Sequence, residues 1–492
     1  MSGRTRVLAE ETMPSLPEGI ARPAYERGSV RIGIVHLGPG AFHRAHQAAY
    51  IDELLAMEPE WGICAVSLHS AGVRDALRPQ DGLYTLALLG ERTTLRVIGS
   101  VRELLCARDQ QPAVLARLAD PAVRLVTLTI TEKGYCLSAD GLDFRHPEIV
   151  RDLALPHAPT GAIGHLVAGL GLRRERGIAP YTVLSCDNLA DNGERLRRAV
   201  LQYADRVDPA LSAWIAAEAT FPRSMVDSIT PATDDALRER VAAALGCVDA
   251  WPIQREPFTQ WVVEDRFCNG RPALERVGVT MSADIAGYDR AKLRLLNGPH
   301  SALAYLGSLL GLEMVADAMR DPSLAAFVER MMRDDIAPVL RAPEGFDPDA
   351  YIDAILMRFR NPGIGHRLSQ IAWDGSQKLP VRLIGTIADA LAAGRSIDRL
   401  CMPVAAWMHF VRRQAHHGLA LVDPLDEALT ARGRAGSGDP QADVAAFLGL
   451  ETVFAPLGSD ARFAEALRGA YGRLGDATPA AVARALAVDA PA

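Results

Sequence analysis

The segment VRIGIVHLGPGAFHRAHQAAYIDELLAME, starting at Val30, constrains the fold more than any other part of the 492-residue chain. Val30 to Leu37 is apolar and β-branched enough for a buried strand, Gly38 and Gly40 supply a tight turn, and Phe42 to Met57 carries helical spacing. Further apolar strands are expected at Gly62 to Leu68, Tyr84 to Leu89 and Leu95 to Ile98. The runs VRLVTLTITEKGY and YTVLSCDN are β-rich and end in polar residues, and a helix is expected between them over Gly161 to Arg176. Such alternation implies an α/β sheet with right-handed crossovers, whose ligands bind at the carboxyl ends of the strands.

From about residue 285 the texture changes to long Ala, Leu and Arg segments with few β-branched runs, which predicts a mostly helical half. We therefore expect two domains, a dinucleotide-binding one over 1–284 and a helical substrate domain over 285–492. The Gly-rich stretch ARGRAGSGDPQ (431–441) reads as a loop between helices. The net charge is -7, with 53 basic and 60 acidic residues interspersed, so neither a nucleic acid nor a membrane surface is the expected partner; a small molecule is. Seven cysteines, never at CxxC spacing, argue for reduced thiols in a cytoplasmic enzyme. No apolar run has membrane-spanning length, and the N-terminal stretch has no apolar core of the kind a secretion signal carries.

GPGAF (38–42) follows a strand and opens a helix, the context in which glycines let a backbone approach a pyrophosphate. His43 stands where the third glycine of that fingerprint belongs, and alone the motif is equally compatible with an ordinary strand-to-helix turn. The acid expected after the second strand to bind the adenosine ribose is missing. Ser67, Leu68, His69 and Ser70 stand there, with Arg74 and Asp75 just beyond, so these residues leave NAD and NADP open. His36, His43 and His46 have no convergent carboxylate or thiolate nearby, and no metal is expected. Asn188, Glu132 and Lys133 end two strands on what would be one sheet edge, in a site or merely in turns.

KLRLLNGPH (292–300) places Lys292, Asn297 and His300 around the two poorest helix formers, Gly298 and Pro299. On a continuous α-helix Asn297 and His300 would lie about 140° and about 80° from Lys292, so that all three share one side, over about 12 Å of rise. Alone, these nine residues favour a capped or broken surface helix. Chemically the three suit carbonyl reduction: an ammonium donates to the nascent alkoxide and amide N–H groups stabilise it.

In combination and order, GPGAFHRAHQ, QDGLYTL, TITEKGYC, SCDN, FPRSMVDSITP, EPFTQWVVEDRF, KLRLLNGPH and DGSQKLP resemble the polyol-specific long-chain dehydrogenases, the mannitol dehydrogenase family, from about Val35 to Trp407. The resemblance implies a Rossmann-type N-terminal domain, a predominantly α-helical C-terminal domain, an active site in the cleft between them, no zinc, a monomer, and NAD(H) as the usual cofactor, with NADP(H) left open. It implies Lys292 as general acid/base, Asn188 and Asn297 as the oxyanion pair, and His300 as orienting a substrate hydroxyl. Asp227, Lys378, Gln370 and Arg367 are carried over to the substrate, and Gly38, Gly40, Ala41, Phe42, Glu132 and Lys133 to the cofactor. TEKGYC and HRLSQIAWDGSQKLP resemble the fructuronate reductase branch more than the mannitol 2-dehydrogenase branch, which carries an Arg where Gln370 stands. The implied reaction is reduction of the keto group of D-fructuronate to D-mannonate. The alternatives are an uncharged polyol such as mannitol or arabinitol, or a non-catalytic nucleotide-binding protein on the same scaffold. Candidates for a substrate carboxylate are Arg223, Arg358, Arg360, Arg367 and Lys378. The chain departs from its relatives at Asp289, where Glu is common, and at Pro299, where Ser is usual.

Overall fold

A computed structural model describes residues 6–487. The chain divides between Ile285 and Ala286 into two compact units. The first is built on a five-stranded sheet of Ile32–Leu37, Gly62–Ser67, Val101–Cys106, Leu125–Leu128 and Thr182–Ser185, every neighbouring pair parallel. In space these five run third, second, first, fourth, fifth. The order reverses at the first strand, so a crevice opens beyond the ends of the first and fourth strands, where a doubly wound sheet binds its ligand. Both faces are covered. Val35, Leu37, Val126 and Leu128 pack with Leu118, Leu166 and Leu196, while Ile34, Ile63 and Leu125 pack with Ile51, Leu54 and Trp261. Burial on two sides is why these strands read as apolar runs instead of alternating ones.

The third strand of that sheet is Val101–Cys106, which the apolar pattern passes over because Arg102 and Glu103 sit on a half-exposed sheet edge. Tyr84–Leu89 and Thr93–Ile98 are not sheet neighbours of the glycine turn. They form an antiparallel hairpin that Ile253–Arg255 extends to three strands. A third sheet joins Ser224–Asp227, Gln260–Val263 and Thr280–Met281. The single helix expected over Phe42 to Met57 is two, Ala41–Ala45 and Gln47–Leu54. The break falls at His46, whose backbone turns to φ -113 and ψ -88 while its Nε2 donates to the Gln260 carbonyl at 3.0 Å.

The second unit is helical, with no strand among its described residues beyond the isolated bridge Met314 to Arg367. Gly298–Leu309 is buried along almost its whole length and packs against the 19-residue helix Asp398–His416, as a helix apolar on all sides must. The Gly-rich stretch at 431–441 is mostly helix. Asp426–Ala435 and Pro440–Leu448 leave only four residues between them, where the Asp443 carboxylate accepts from the Ser437 and Gly438 amides. No described helix is long and apolar enough to cross a membrane.

Gly38 is the tightest point of the first unit. Its φ is +90, and a Cβ there would lie 2.3 Å from the Thr129 carbonyl oxygen. Gly38→Ala is expected to destabilise the protein by on the order of 1–3 kcal/mol from backbone strain alone, before the clash is counted. An unchanged urea midpoint would remove Gly38 from this role.

Candidate active site

The glycine turn is built from beneath. His36 Nε2 donates to the Gly38 carbonyl at 3.2 Å and lies 2.9 Å from Thr129 Oγ1, which itself donates to the same carbonyl at 2.7 Å. With Nε2 as donor, His36 Nδ1 accepts from Thr127 Oγ1 at 2.7 Å, and burial pushes this neutral ring down to about 3. His43, in the place of the third glycine, is buried and stacks on His36 with ring centroids 3.4 Å apart. These histidines are thus occupied in packing and hydrogen bonds, and the described residues contain no cluster suited to a metal ion. Above the turn, a Cβ at Gly40 would meet nothing closer than 3.9 Å. The first-turn amides of Ala41 and Phe42 follow it, groups that no helix can satisfy internally. Open approach to a glycine next to free-pointing amides fits a pyrophosphate. A cavity of about 500 Å³ beside the ends of the second and third strands, bordered by Leu68, His69, Ala107 and Arg108, is of a size for the adenosine half.

The two polar strand ends are one structure. The Asp187 carboxylate accepts from the Ile130 amide at 2.9 Å, the Thr131 amide at 3.0 Å and the Tyr135 hydroxyl at 2.7 Å. It therefore fixes the TEKGY turn, where Thr131 takes φ +63 and Glu132 and Lys133 stand exposed in a single 3-10 turn. Burial pushes the Asp187 carboxyl up, against the pull of those donors. Asn188 is the next residue, exposed at the same edge. Asn192, buried, donates to the Ser185, Asp187 and Ser224 carbonyls at 3.4, 3.2 and 2.8 Å and accepts from the Ser224 amide at 3.1 Å. This staples SCDN to the strand that ends in buried Asp227.

In the second unit KLRLLN is a π-helical turn, Lys292–Asn297, and the Gly298 amide donates five residues back to the Leu293 carbonyl. With i→i+5 bonding, residues five apart stand one above the other. Lys292 and Asn297 therefore share a face, not the wide angle of an α-helix, and His300 follows at α-helical spacing. The helix does not fail at Gly298-Pro299. Pro299 falls in the first turn of Gly298–Leu309, where a missing N–H costs least. Gly298 is needed for another reason: a Cβ there would lie 3.1 Å from the Arg382 carbonyl oxygen, in the facing π-turn Pro380–Ile384.

Lys292 and His300 are buried. The His300 ring packs against Phe359 at 4.5 Å and His366 at 5.2 Å between centroids, and its Nε2 has no hydrogen-bond partner among the described residues. Burial, then the charges of His366, Arg382 and Arg358, hold it well below the usual histidine range, so it is neutral. Lys378 Nζ donates to the Trp373 and Ile371 carbonyls at 2.5 and 3.3 Å, and burial followed by Arg382 lowers its basicity. Gln370 and Arg367 are exposed, and Arg367 borders a separate cavity of about 420 Å³ with Trp373, Phe410 and Arg413. Asn188 and Asp227 belong to the first unit, and Lys292, Asn297, His300 and Lys378 to the second.

The Mannitol dehydrogenase Rossmann domain model matches residues 32–276, and the Mannitol dehydrogenase C-terminal domain model matches residues 284–475. The chain belongs to the mannitol dehydrogenase family. It is 43% identical over 465 residues to the D-mannonate oxidoreductase of Escherichia coli (strain K12), covering 92% of this chain and 96% of that one. It is 41% identical over 457 residues to a mannitol 2-dehydrogenase of Neosartorya fischeri, covering 90% of each. Among solved structures it matches Pseudomonas fluorescens mannitol 2-dehydrogenase in ternary complex with NAD and D-mannitol, with a TM-score of 0.80 and 38% identity over 98% of this chain and 100% of that one. It also matches a substrate-free D-sorbitol dehydrogenase, with a TM-score of 0.87 and 32% identity over 98% of this chain and 100% of that one. This mannitol dehydrogenase family member is an oxidoreductase.

Three residues escaped the reading of the sequence. Asp187 and Asn192 look like turn residues, and nothing in SCDNLADN tells a staple from a turn. Arg382 is one arginine in an apolar helix, PVRLIG, and only the fold brings its guanidinium to the Lys292–Asn297 turn, where Nη1 donates to the Asn297 carbonyl at 3.4 Å and Ser301 Oγ at 3.2 Å.

Two outcomes follow for this family member. Asp187→Ala leaves the Ile130 and Thr131 amides without their acceptor. It is expected to cost about 1–3 kcal/mol of stability and to weaken dinucleotide binding, read by denaturation and titration; wild-type values for both would refute the tie. His36, His43, His300 and His409 all have folded basicity below the ordinary 6.5, with His36 at about 3 and His409 at about 4. The unfolded chain alone takes up these protons, so their stabilisation is complete above about pH 6.5. It falls as pH drops through the window below, by about 1.4 kcal/mol per pH unit for each histidine. The urea midpoint should be lower at pH 5.5 than at pH 7.5; equal midpoints would mean the rings are not buried neutral.

Proposed function

We propose that the protein is an NAD(H)-dependent reductase that reversibly converts the keto group of D-fructuronate to the secondary alcohol of D-mannonate, without a metal. The observation that carries the chemistry is the π-turn, which stacks an amine and an amide on one helix face, followed by a neutral imidazole with an unpaired buried nitrogen. The sugar-acid assignment is supported by the 43% identity to a D-mannonate oxidoreductase across nearly the whole of both chains. When bound, the dinucleotide supplies the hydride. Lys292, as ammonium, gives a proton to the carbonyl oxygen as negative charge develops there, and as neutral amine takes it back in the reverse direction. Asn297, joined in the proposal by Asn188 from the first unit, donates amide hydrogens to that oxygen. His300 Nε2 orients a neighbouring hydroxyl, and Asp227 and Lys378 hold the remaining chain of the substrate.

For the cofactor we propose Gly38, Gly40, Ala41 and Phe42 at the pyrophosphate, and Glu132 and Lys133 at the edge fixed by Asp187. The protein is assigned to the cytoplasm as a monomer. A second reading, mannitol 2-dehydrogenase activity, has support in the 41% identity to enzymes of that name.

Initial rates with D-fructuronate and with D-fructose at fixed NADH separate the readings, and we expect fructuronate to turn over faster; faster fructose turnover would overturn the sugar-acid assignment. Lys292→Ala should lower kcat by about 10²- to 10⁴-fold while NADH still binds. Wild-type turnover in that variant at neutral pH would exclude Lys292 as the acid/base.

A further inference from the structure

Arg382 is a cation without an anion. Its guanidinium is largely enclosed beside the catalytic helix, yet no carboxylate lies within ion-pair distance of it among the described residues. Its two hydrogen bonds both leave from Nη1, to the Asn297 carbonyl at 3.4 Å and to Ser301 Oγ at 3.2 Å. Neutral oxygens orient a guanidinium but do not compensate its charge, and a desolvated charge ordinarily has a partner of opposite sign. Nε and Nη2 make no hydrogen bond to the described residues, and neither is among the fully enclosed unsatisfied atoms. That edge carries two parallel N–H groups, which matches the two oxygens of a carboxylate.

The surroundings add to this. Arg382 charge reaches both His300 and Lys378, since it depresses the basicity of each. The same guanidinium anchors the backbone of Asn297, one of the proposed oxyanion donors. In a linear keto sugar acid such as fructuronate, four C–C bonds separate the keto carbon from the carboxylate carbon, roughly 5 Å. A carboxylate receptor must therefore lie close to the keto-binding groups, and Arg382 does. Arg333, by contrast, already engages Glu329, Asp349 and Asp353, and Arg399 engages Asp334 and Asp335.

We propose that Arg382, through Nε and Nη2, binds the carboxylate of the substrate and is the residue that selects a sugar acid over a neutral ketose, with Lys378 as the second cation beside it. This rests on the sugar-acid reading above and names the group that enforces it. None of the arginines singled out in the sequence is this residue, because PVRLIG carries no mark of a binding site.

The test is Arg382→Met, of similar length and without charge, with Arg382→Lys alongside. Arg382→Met should lower kcat/KM for D-fructuronate by about 100-fold, mostly through KM, and kcat/KM for D-fructose by only a few-fold, the loss that release of the Asn297 carbonyl would bring to both substrates. Arg382→Lys should recover part of the loss. In thermal melts with cofactor present, D-mannonate should raise the wild-type midpoint and not that of Arg382→Met. Without ligand the Met variant should melt at or above the wild-type temperature, since an uncompensated charge has been removed. An equal fold-loss on both substrates, or a mannonate shift preserved in Arg382→Met, would overturn the proposal by making Arg382 merely structural. A wild-type enzyme inactive on fructuronate but active on fructose would overturn the sugar-acid reading itself, and the carboxylate role with it.

Discussion

Five residues of α-helix carry a side chain well past one full turn, so an α-helical segment would set Lys292 and Asn297 about 140° apart around its axis. The widening at Lys292–Asn297 resolves this. It also settles the neighbouring features. The turn ends where Pro299 can sit in a first turn, Gly298 leaves room for the facing backbone, and the facing segment Pro380–Ile384 is itself a π-turn. Arg382 then crosses back to the carbonyl of Asn297. Bulk apolar packing of Gly298–Leu309 holds the rest of the helix in place behind this arrangement.

The first unit solves a different problem with the same economy of means. At the glycine turn its sheet brings backbone to the crevice, and the approach of Gly38 to Thr129 and the three donors gathered by Asp187 decide the shape of the edge. Asn192 extends that order to the strand bearing Asp227. Polar groups that look catalytic by type, His36 and His43, are instead the foundations of the glycine turn.

Legibility followed locality. The strand, the glycines and the polar strand ends could be read because each is a short run with its own period or turn chemistry. Val101–Cys106 was missed because an edge strand tolerates Arg102 and Glu103, and the break at His46 because it depends on Gln260, over two hundred residues away. In KLRLLNGPH a period of 3.6 gives the wrong angle between Lys292 and Asn297, because the turn there is wider. Asp187, Asn192 and Arg382 act through backbone groups of other segments, and no local pattern marks a side chain for that. Arg367 and Gln370 come from the family resemblance, and the fold leaves both exposed.

The widened turn also says how this segment can and cannot vary in descent. A π-turn amounts to one residue more than an α-helix needs for the same path. Deleting a single residue between Lys292 and Asn297 would keep Lys292, Asn297 and His300 and nearly all of the apolar surface. The helix could then relax to ordinary pitch, and Asn297, now four residues beyond Lys292, would stay at nearly the same angle to it, since four residues of α-helix cover about the arc of the wider turn. The widening thus amounts to one inserted residue that the helix absorbs locally, without turning the segments on either side of it against each other.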